Sequence, residues 1–353
     1  MEKQNPWGLT KGHMDRRSFL KLSGLLGVGL ASAGIIPASA EAVKFNSKLY
    51  KVSATRLAMG TFVSMTLIHT SRDEAEEAMG LAFREIARLT GSMSRFDEAT
   101  AVAHLNKEGV LEDVPPEVGQ VISGALNYSR ITHGAFDISV KPVVDLFKEK
   151  FSRGESAPPK PAEMERALSL VGAEHIEVKG GTIRFRRPGM GITLDGIAKG
   201  YIVDRASSLL AGRGIKNHLI NAGGDIRTMG MRQDRKPWTV AIQDPQKKRQ
   251  YPDVIHLTSG AVATSGNYEV YYDREKMFHH IVNPETGLSP ELSASVSVLA
   301  PTAMDADALS TSVFVMEPEG GTRFIETLDN CECLVMARKG DLFRSKGWRS
   351  AAI

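Results

Sequence analysis

The stretch "LAPTAMDADALSTSVFVM", residues 299–316, consists of small and apolar residues apart from Asp305, Asp307 and a few hydroxyls. A run this apolar belongs inside a fold, where an unpartnered carboxylate costs several kcal/mol. Thr302 followed three residues later by Asp305 has the spacing of a helix N-terminal cap, and the helix dipole favours an acid in the first turn. That accounts for Asp305. Asp307 sits two residues further in, flanked by Ala306, Ala308 and Leu309, and needs a cation or a dense set of donors. Thr311 lies four residues on, hence on the same helix face. With Ala308 and Ser310 beside them, this carboxylate and hydroxyl form an oxygen-rich corner suited to magnesium. A second capping role or a sheet-edge role accounts for the same pattern.

Outward from this helix, strand signals outnumber helical ones. "ATRLAMGTFVSMTLIHT" (54–70) reads as strand. Ser71 and Glu74 then make a capping box for a helix with Ala75, Met79, Phe83, Ile86 and Leu89 on its inner face. "PPEVGQVISGALNYSRITHG" (115–134) predicts a second amphipathic helix, opened by proline and stopped at Gly134. Short strands with glycine turns follow in "IEVKGGTIRFRRPGMGITL" (176–194), then a helix from about Lys199 to Leu210 closed by Gly212 and Gly214. "HLINAGGD" (218–225), "WTVAIQDP" (238–245), "VIHL" (254–257), "AVATSG" (261–266), "FHHIVNP" (278–284) and "SASVSVLA" (293–300) read as further strands. Clustered strands of this kind predict an α+β fold, with antiparallel or mixed sheets layered with helices. Residues 150–163, polar and proline-rich, read as a linker or a surface excursion.

The first forty residues are a separate segment. "MDRRSFLKLSGLLGVGLASAGIIPASA" (14–40) has a basic start, a short apolar run and small residues at a cleavage site, with Ala38 and Ala40 in the A-x-A positions. Arg16 and Arg17 make it a twin-arginine address, so the expectation is a signal peptide over 1–40, a mature domain over 41–353 and a periplasmic location. An uncleaved signal would leave the chain membrane-anchored. Residues 1–40 hold five of the 44 Lys and Arg and two of the 41 Asp and Glu, so the remainder has equal numbers of each sign. Nothing in the mature charge balance argues for nucleic acid as a partner. Cys331 and Cys333, one residue apart, are too few for a structural zinc site and read as packing residues.

Several other groups could carry chemistry. Lys199 lies in the glycine-containing stretch "TLDGIAKGYIVD", which opens a helix where amides and dipole favour a phosphate; a solvated first-turn lysine has the same appearance. The two glycines of "NAGGDIR" permit close approach of a ligand or make a tight hairpin turn, with Asp225 a turn residue either way. His279 and His280 would point to opposite faces of a strand. Phe136 and Asp137 follow a helix stop, where a ring and an acid meet a ligand or anchor a loop.

Taken in order, "MGTFVSM", "GAFDISV", "GIAKGYIVD", "NAGGDIRTMG", "ATSGNYE", "HHIVNPETG" and "DADALST" resemble the FAD:protein FMN transferases, the ApbE-type flavinyltransferases, over roughly residues 55–316. The resemblance implies an ApbE-like fold with FAD in a cleft between subdomains and magnesium bridging the pyrophosphate. By position it implies metal ligation by Asp307, Thr311 and the backbone carbonyl of Gly196. It also implies FAD contacts from Met59, Ala135, Phe136, Asp137 and Lys199, with His280 and Ile281 in the flavin cleft. Two positions depart from the family pattern: Thr193 stands where the family has an acid, with Asp195 two residues later, and Phe96 replaces a tyrosine.

The implied reaction is attack by a Thr or Ser hydroxyl of a target protein on the FMN-side phosphorus of FAD, expelling AMP. Lys199 would add positive charge, and His280 is the nominated base because its ordinary pKa suits neutral pH. The implied acceptor carries a D-G-x-[ST]-G-A-[ST] motif on an exported or membrane-associated redox protein. This chain's own "TSGAVATSG" lacks the leading D-G, so self-modification is not expected. An FAD pyrophosphatase and a non-catalytic flavin carrier are the alternatives.

Overall fold

The computed structural model describes residues 14–15, 41–44, 49–152, 158–232, 236–245, 250–267 and 281–351. Nearly all of the signal segment, residues 153–157 of the proposed excursion, and His279 and His280 lie outside the described residues.

Apart from the two-residue strand Met14–Asp15, which pairs with Gln250–Tyr251, the elements run from β1 (Glu41–Lys44), β2 (Tyr50–Ala58) and β3 (Thr61–His69) to α1 (Arg72–Met93). The strand-like stretch 54–70 is therefore two strands. Met59 takes a positive φ of 52° and Gly60 one of 70°, so the chain reverses there, and Ala58 pairs with Thr61. Ser71 caps α1 by accepting the amide of Glu74, and the expected inner-face residues are all buried. Next come α2 (Ala101–Glu108), β4 (Val110–Leu111), α3 (Pro116–Ile131), α4 (Lys141–Ser152) and α5 (Pro161–Leu168). The flanks of the proline-rich segment belong to these last two helices, tied by the pair of Lys150 with Glu163 at 3.1 Å.

β5 (Ile176–Lys179) and β6 (Thr182–Phe185) form a small antiparallel sheet with β4. Then come α6 (Ala198–Gly212), β7 (Asn217–Ala222), β8 (Asp225–Met229), β9 (Trp238–Ile242), β10 (Asp253–Leu257), β11 (Gly260–Gly266) and β12 (Ser293–Ala300). The chain closes with α7 (Ala303–Val315), α8 (Pro318–Ile325), β13 (Glu332–Ala337) and β14 (Leu342–Arg344). Residues 281–284, expected as strand, contain none. Asn283 instead folds into a turn, its side chain accepting the amides of Glu285 and Thr286, and asparagine before proline favours that geometry.

One nine-stranded sheet organises the molecule, in the order β14-β13-β12-β11-β8-β7-β3-β2-β1 with every neighbouring pair antiparallel. Alternation of side chains gives it two apolar faces. On one face Val63, Met65, Leu67, Val296 and Val298 pack against the helices, within the main core. On the other, Ile68, Leu219, Ile226, Val262, Leu334 and Met336 meet Trp238, Val240 and Ile255 of the β9–β10 ladder and Trp348. The fold is thus α+β, with a helical layer, an antiparallel sheet and a partial β cover. α7 lies in the helical layer against β11, β12 and α6. Its burial on nearly every side explains why its sequence is apolar all round.

Candidate active site

The site is built where α6 and α7 begin. Thr302 caps α7 by accepting the amide of Asp305 at 3.1 Å, and the Asp305 carboxylate accepts the hydroxyl of Tyr128 from α3. Asp307 is 5% exposed, and its Oδ2 accepts the amide of Gly200 at 3.0 Å. Thr311 Oγ1 shares a hydrogen bond with Ser265 Oγ of β11 at 3.2 Å, while Ser265 also meets Ser310 at 2.8 Å. Gly196 comes against this pair. A Cβ placed on Gly196 would stand 3.1 Å from Thr311 Oγ1 and 3.3 Å from the Phe136 ring. The folded chain therefore brings Gly196 and Thr311, more than a hundred residues apart, into contact, with Asp307 one turn along the same helix face.

Asp225, read from the sequence as a turn residue only, joins this cluster. The β7–β8 hairpin turns at Gly223 and Gly224, both with positive φ (62° and 106°), and Asp225 opens the return strand at only 2% exposure. Lys199 Nζ, from the first turn of α6, lies 3.3 Å from Asp225 Oδ2, an oxygen that accepts no well-formed hydrogen bond. Burial raises the pKa of both carboxyls. For Asp307 the neighbouring charge of Asp225 raises it further and Lys199 offsets part of this; Lys199 likewise opposes the rise at Asp225. When both acids are ionised, one partly exposed ammonium faces two buried carboxylates.

Of the remaining expected residues, Phe136 reaches Gly196 of this cluster. Phe136 is buried and meets Tyr128 edge to face, with ring centroids 6.2 Å apart. Asp137 is turned inward. Its carboxylate accepts the amide and hydroxyl of Ser139 at 2.7 and 2.6 Å and the amide of Ala173 at 2.9 Å, so it anchors the loop. Ala135 lies in the turn just before Phe136, its amide donating to Thr132 O at 3.1 Å. Thr193 is buried, its amide donating to Ile138 O at 2.8 Å and its hydroxyl accepting the amide of Asp195. Asp195 reaches outward to Arg95 at 3.1 Å, and Arg95 also holds Asp145 at 3.2 Å. Phe96 is 71% exposed, with the cations of Arg95 and Lys148 over its ring at 4.5 and 4.6 Å. Met59 sits on the β2–β3 turn, and Ile281 is buried in the main core. His280, the nominated base, lies outside the described residues.

Among the described residues no group of three or more His, Cys, Asp and Glu is arranged to hold a metal ion. The donor set of Asp307, Thr311 and a backbone carbonyl is of a different kind. Cys331 and Cys333 are both buried and unbridged, and burial pushes each thiol up to about 11, as suits packing residues.

The α+β fold thus gathers two buried carboxylates, a partly exposed lysine at a helix start and hydroxyls one turn away. The family model described as the ApbE family matches residues 59–335, and the chain belongs to that family. It is 29% identical over 266 residues to the FAD:protein FMN transferase of Vibrio cholerae, covering 74% of this chain and 79% of that protein. It is 28% identical over 306 residues to the enzyme of the same name from Haemophilus influenzae, covering 84% and 87%. Among solved structures, the ApbE protein of Thermotoga maritima superposes with a TM-score of 0.77 at 30% identity, covering 84% of this chain and 97% of that one. The flavin transferase ApbE of Vibrio cholerae does so with a TM-score of 0.73 at 26% identity, covering 87% and 98%.

Proposed function

We propose that this chain transfers the FMN moiety of FAD to a Thr or Ser hydroxyl of an acceptor protein and releases AMP, with magnesium as the required ion. The names borne by its relatives support flavin transfer. The observation that carries the finer reading is the charge imbalance of Asp307 and Asp225 beside Lys199. A buried pair of acids with one lysine fits a divalent cation, and carboxylate, hydroxyl and carbonyl oxygens are the donors magnesium prefers. Asp307, Thr311 and the Gly196 carbonyl would hold it. When bound, it supplies positive charge to the diphosphate and to the departing AMP.

The chain's own groups do the rest. Lys199 neutralises phosphate charge from the start of α6, and Phe136 and Met59 offer apolar contact to FAD. The acceptor hydroxyl gives its proton to His280 as its oxygen bonds to the FMN-side phosphorus. The bond from that phosphorus to the bridging oxygen breaks, and AMP leaves with that oxygen. Such a transfer relies on positioning and charge neutralisation more than on covalent chemistry by the protein. The twin-arginine pattern supports export, which makes an exported or membrane-associated redox protein with a D-G-x-[ST]-G-A-[ST] motif the acceptor.

One incubation tests the proposal: the protein, FAD, magnesium and a peptide bearing that motif, followed by mass spectrometry. Covalent FMN on the peptide, lost on chelation of the metal, is the expected result. Free FMN with AMP would show a pyrophosphatase instead, and unchanged FAD a flavin carrier.

A further inference from the structure

The helices that carry the site cross at their first turns, and the crossing is unusually close. A Cβ on Gly200 would stand 2.2 Å from the carbonyl oxygen of Ala303 and 2.8 Å from Met304 Cα, so α6 and α7 meet backbone to backbone. Two sets of hydrogen bonds run across this contact in opposite directions. From α6 to α7, the Gly200 amide donates to Asp307 Oδ2 at 3.0 Å. From α7 to α6, the amides of Ala303 and Met304 donate to Oδ1 and Oδ2 of Asp204 at 2.9 and 2.8 Å.

The first amides of a helix have no partner within it, and a neighbouring side chain of the same helix normally supplies one. Here Thr302 takes the Asp305 amide while Asp204, from a different helix, takes two more. Asp204 is held in turn: Arg227 Nε of β8 lies 3.5 Å from its Oδ1, and Arg227 Nη1 donates to the carbonyl of Pro301, just ahead of α7. The bonded amides lie one turn before Asp307 on the same helix.

A cap of this kind stabilises a helix wherever it occurs, and packing alone would justify it. Its place argues for more. The oxygens assigned to the cation come from two segments, Gly196 ahead of α6 and Asp307 with Thr311 on α7, so their spacing depends on how the two helices are set against each other. Metal–oxygen distances tolerate only a few tenths of an ångström. We infer that Asp204, backed by Arg227, is a positioning residue that locks the start of α7 onto α6 and thereby sets the spacing of the Gly196, Asp307 and Thr311 oxygens. This rests on the reading of those three residues as cation ligands.

The experiment is calorimetric titration of manganese into the FAD-free full chain, as wild type, Asp204→Asn, Arg227→Gln and Asp307→Ala. Amide exchange at Ala303 and Met304 and thermal unfolding are measured alongside. Asp204→Asn is expected to weaken manganese binding about tenfold or more and to speed exchange at both amides; kcat should return at saturating metal. Arg227→Gln should shift affinity the same way by less, and it carries the test if Asp204→Asn does not fold. Wild-type manganese affinity in both variants, with only the melting temperature lowered and Asp307→Ala no longer binding, would reduce Asp204 to a helix cap and overturn the inference. Failure of the wild type to bind manganese, or unchanged binding by Asp307→Ala, would overturn the ligand reading and this inference with it.

Discussion

Helix α6 has a buried polar group at each end, and the two are treated differently. Near its C-terminal end, Ser207 and His218 are almost completely enclosed. The hydroxyl of Ser207 meets His218 Nε2 at 2.7 Å, and Nδ1 donates to the carbonyl of Ile215 at 2.9 Å. Both ring nitrogens are satisfied by a neutral imidazole, and burial pushes its pKa down from 6.5 to about 4. Near the N-terminal end, Asp307 and Asp225 lie beside one lysine, and among the described residues Asp225 Oδ2 meets only that ammonium, at 3.3 Å. A serine beside a histidine looks like chemistry, and an aspartate among alanines looks like an accident. Their surroundings reverse both impressions: the serine and histidine are closed within the protein, while the two acids are the feature on which the proposed cation site rests.

Substitutions can break this contrast. Asp307→Ala removes the acid at the unbalanced end and should lower FMN transfer to an acceptor peptide by about a hundredfold or more, while circular dichroism shows the fold retained. Acid should act on the balanced end. The folded pKa of His218 lies below the unfolded one, so the unfolded chain takes up the proton first. Its contribution is whole above about pH 6.5 and declines as pH falls toward about 4, with a limit of about 3 kcal/mol, measurable by urea unfolding across that range. His218→Phe strands the Ser207 hydroxyl and the Ile215 carbonyl. It should cost about 2 kcal/mol in urea unfolding, abolish that part of the pH dependence, and leave transfer per folded molecule unchanged.

The smallest effect sharpens the comparison. Asp225→Asn removes one of the two acids facing Lys199. Affinity for magnesium should fall about tenfold, by calorimetry, while the melting temperature holds or rises because a poorly balanced buried charge is gone. A large loss of stability in this variant would place Asp225 with His218 as architecture.

Much of this was legible in the chain. Thr302 and Ser71 cap their helices as their spacing predicts, because caps are local and need only three or four consecutive residues. Asp307 stood out because an acid in an apolar helix has few explanations. What failed was nonlocal or depended on one backbone angle. Residues 54–70 have strand character throughout, and the reversal at Met59 and Gly60 shows only as a left-handed φ. Asp225 reads as a hairpin residue, since its burial depends on the helix that Lys199 begins. Ser265 reads as one of several strand hydroxyls until α7 lies across it.

By itself the sequence determined the α+β class, the main capped helices and the odd carboxylate at 307, because periodicity, capping and the cost of burying charge are properties of short segments. Only the tertiary structure decided that Gly196 touches Thr311, that Asp225 shares Lys199 with Asp307, and that Asp204 holds one helix against another. Those contacts join residues 26 to more than a hundred positions apart, and a chain records such distances only once its core has packed.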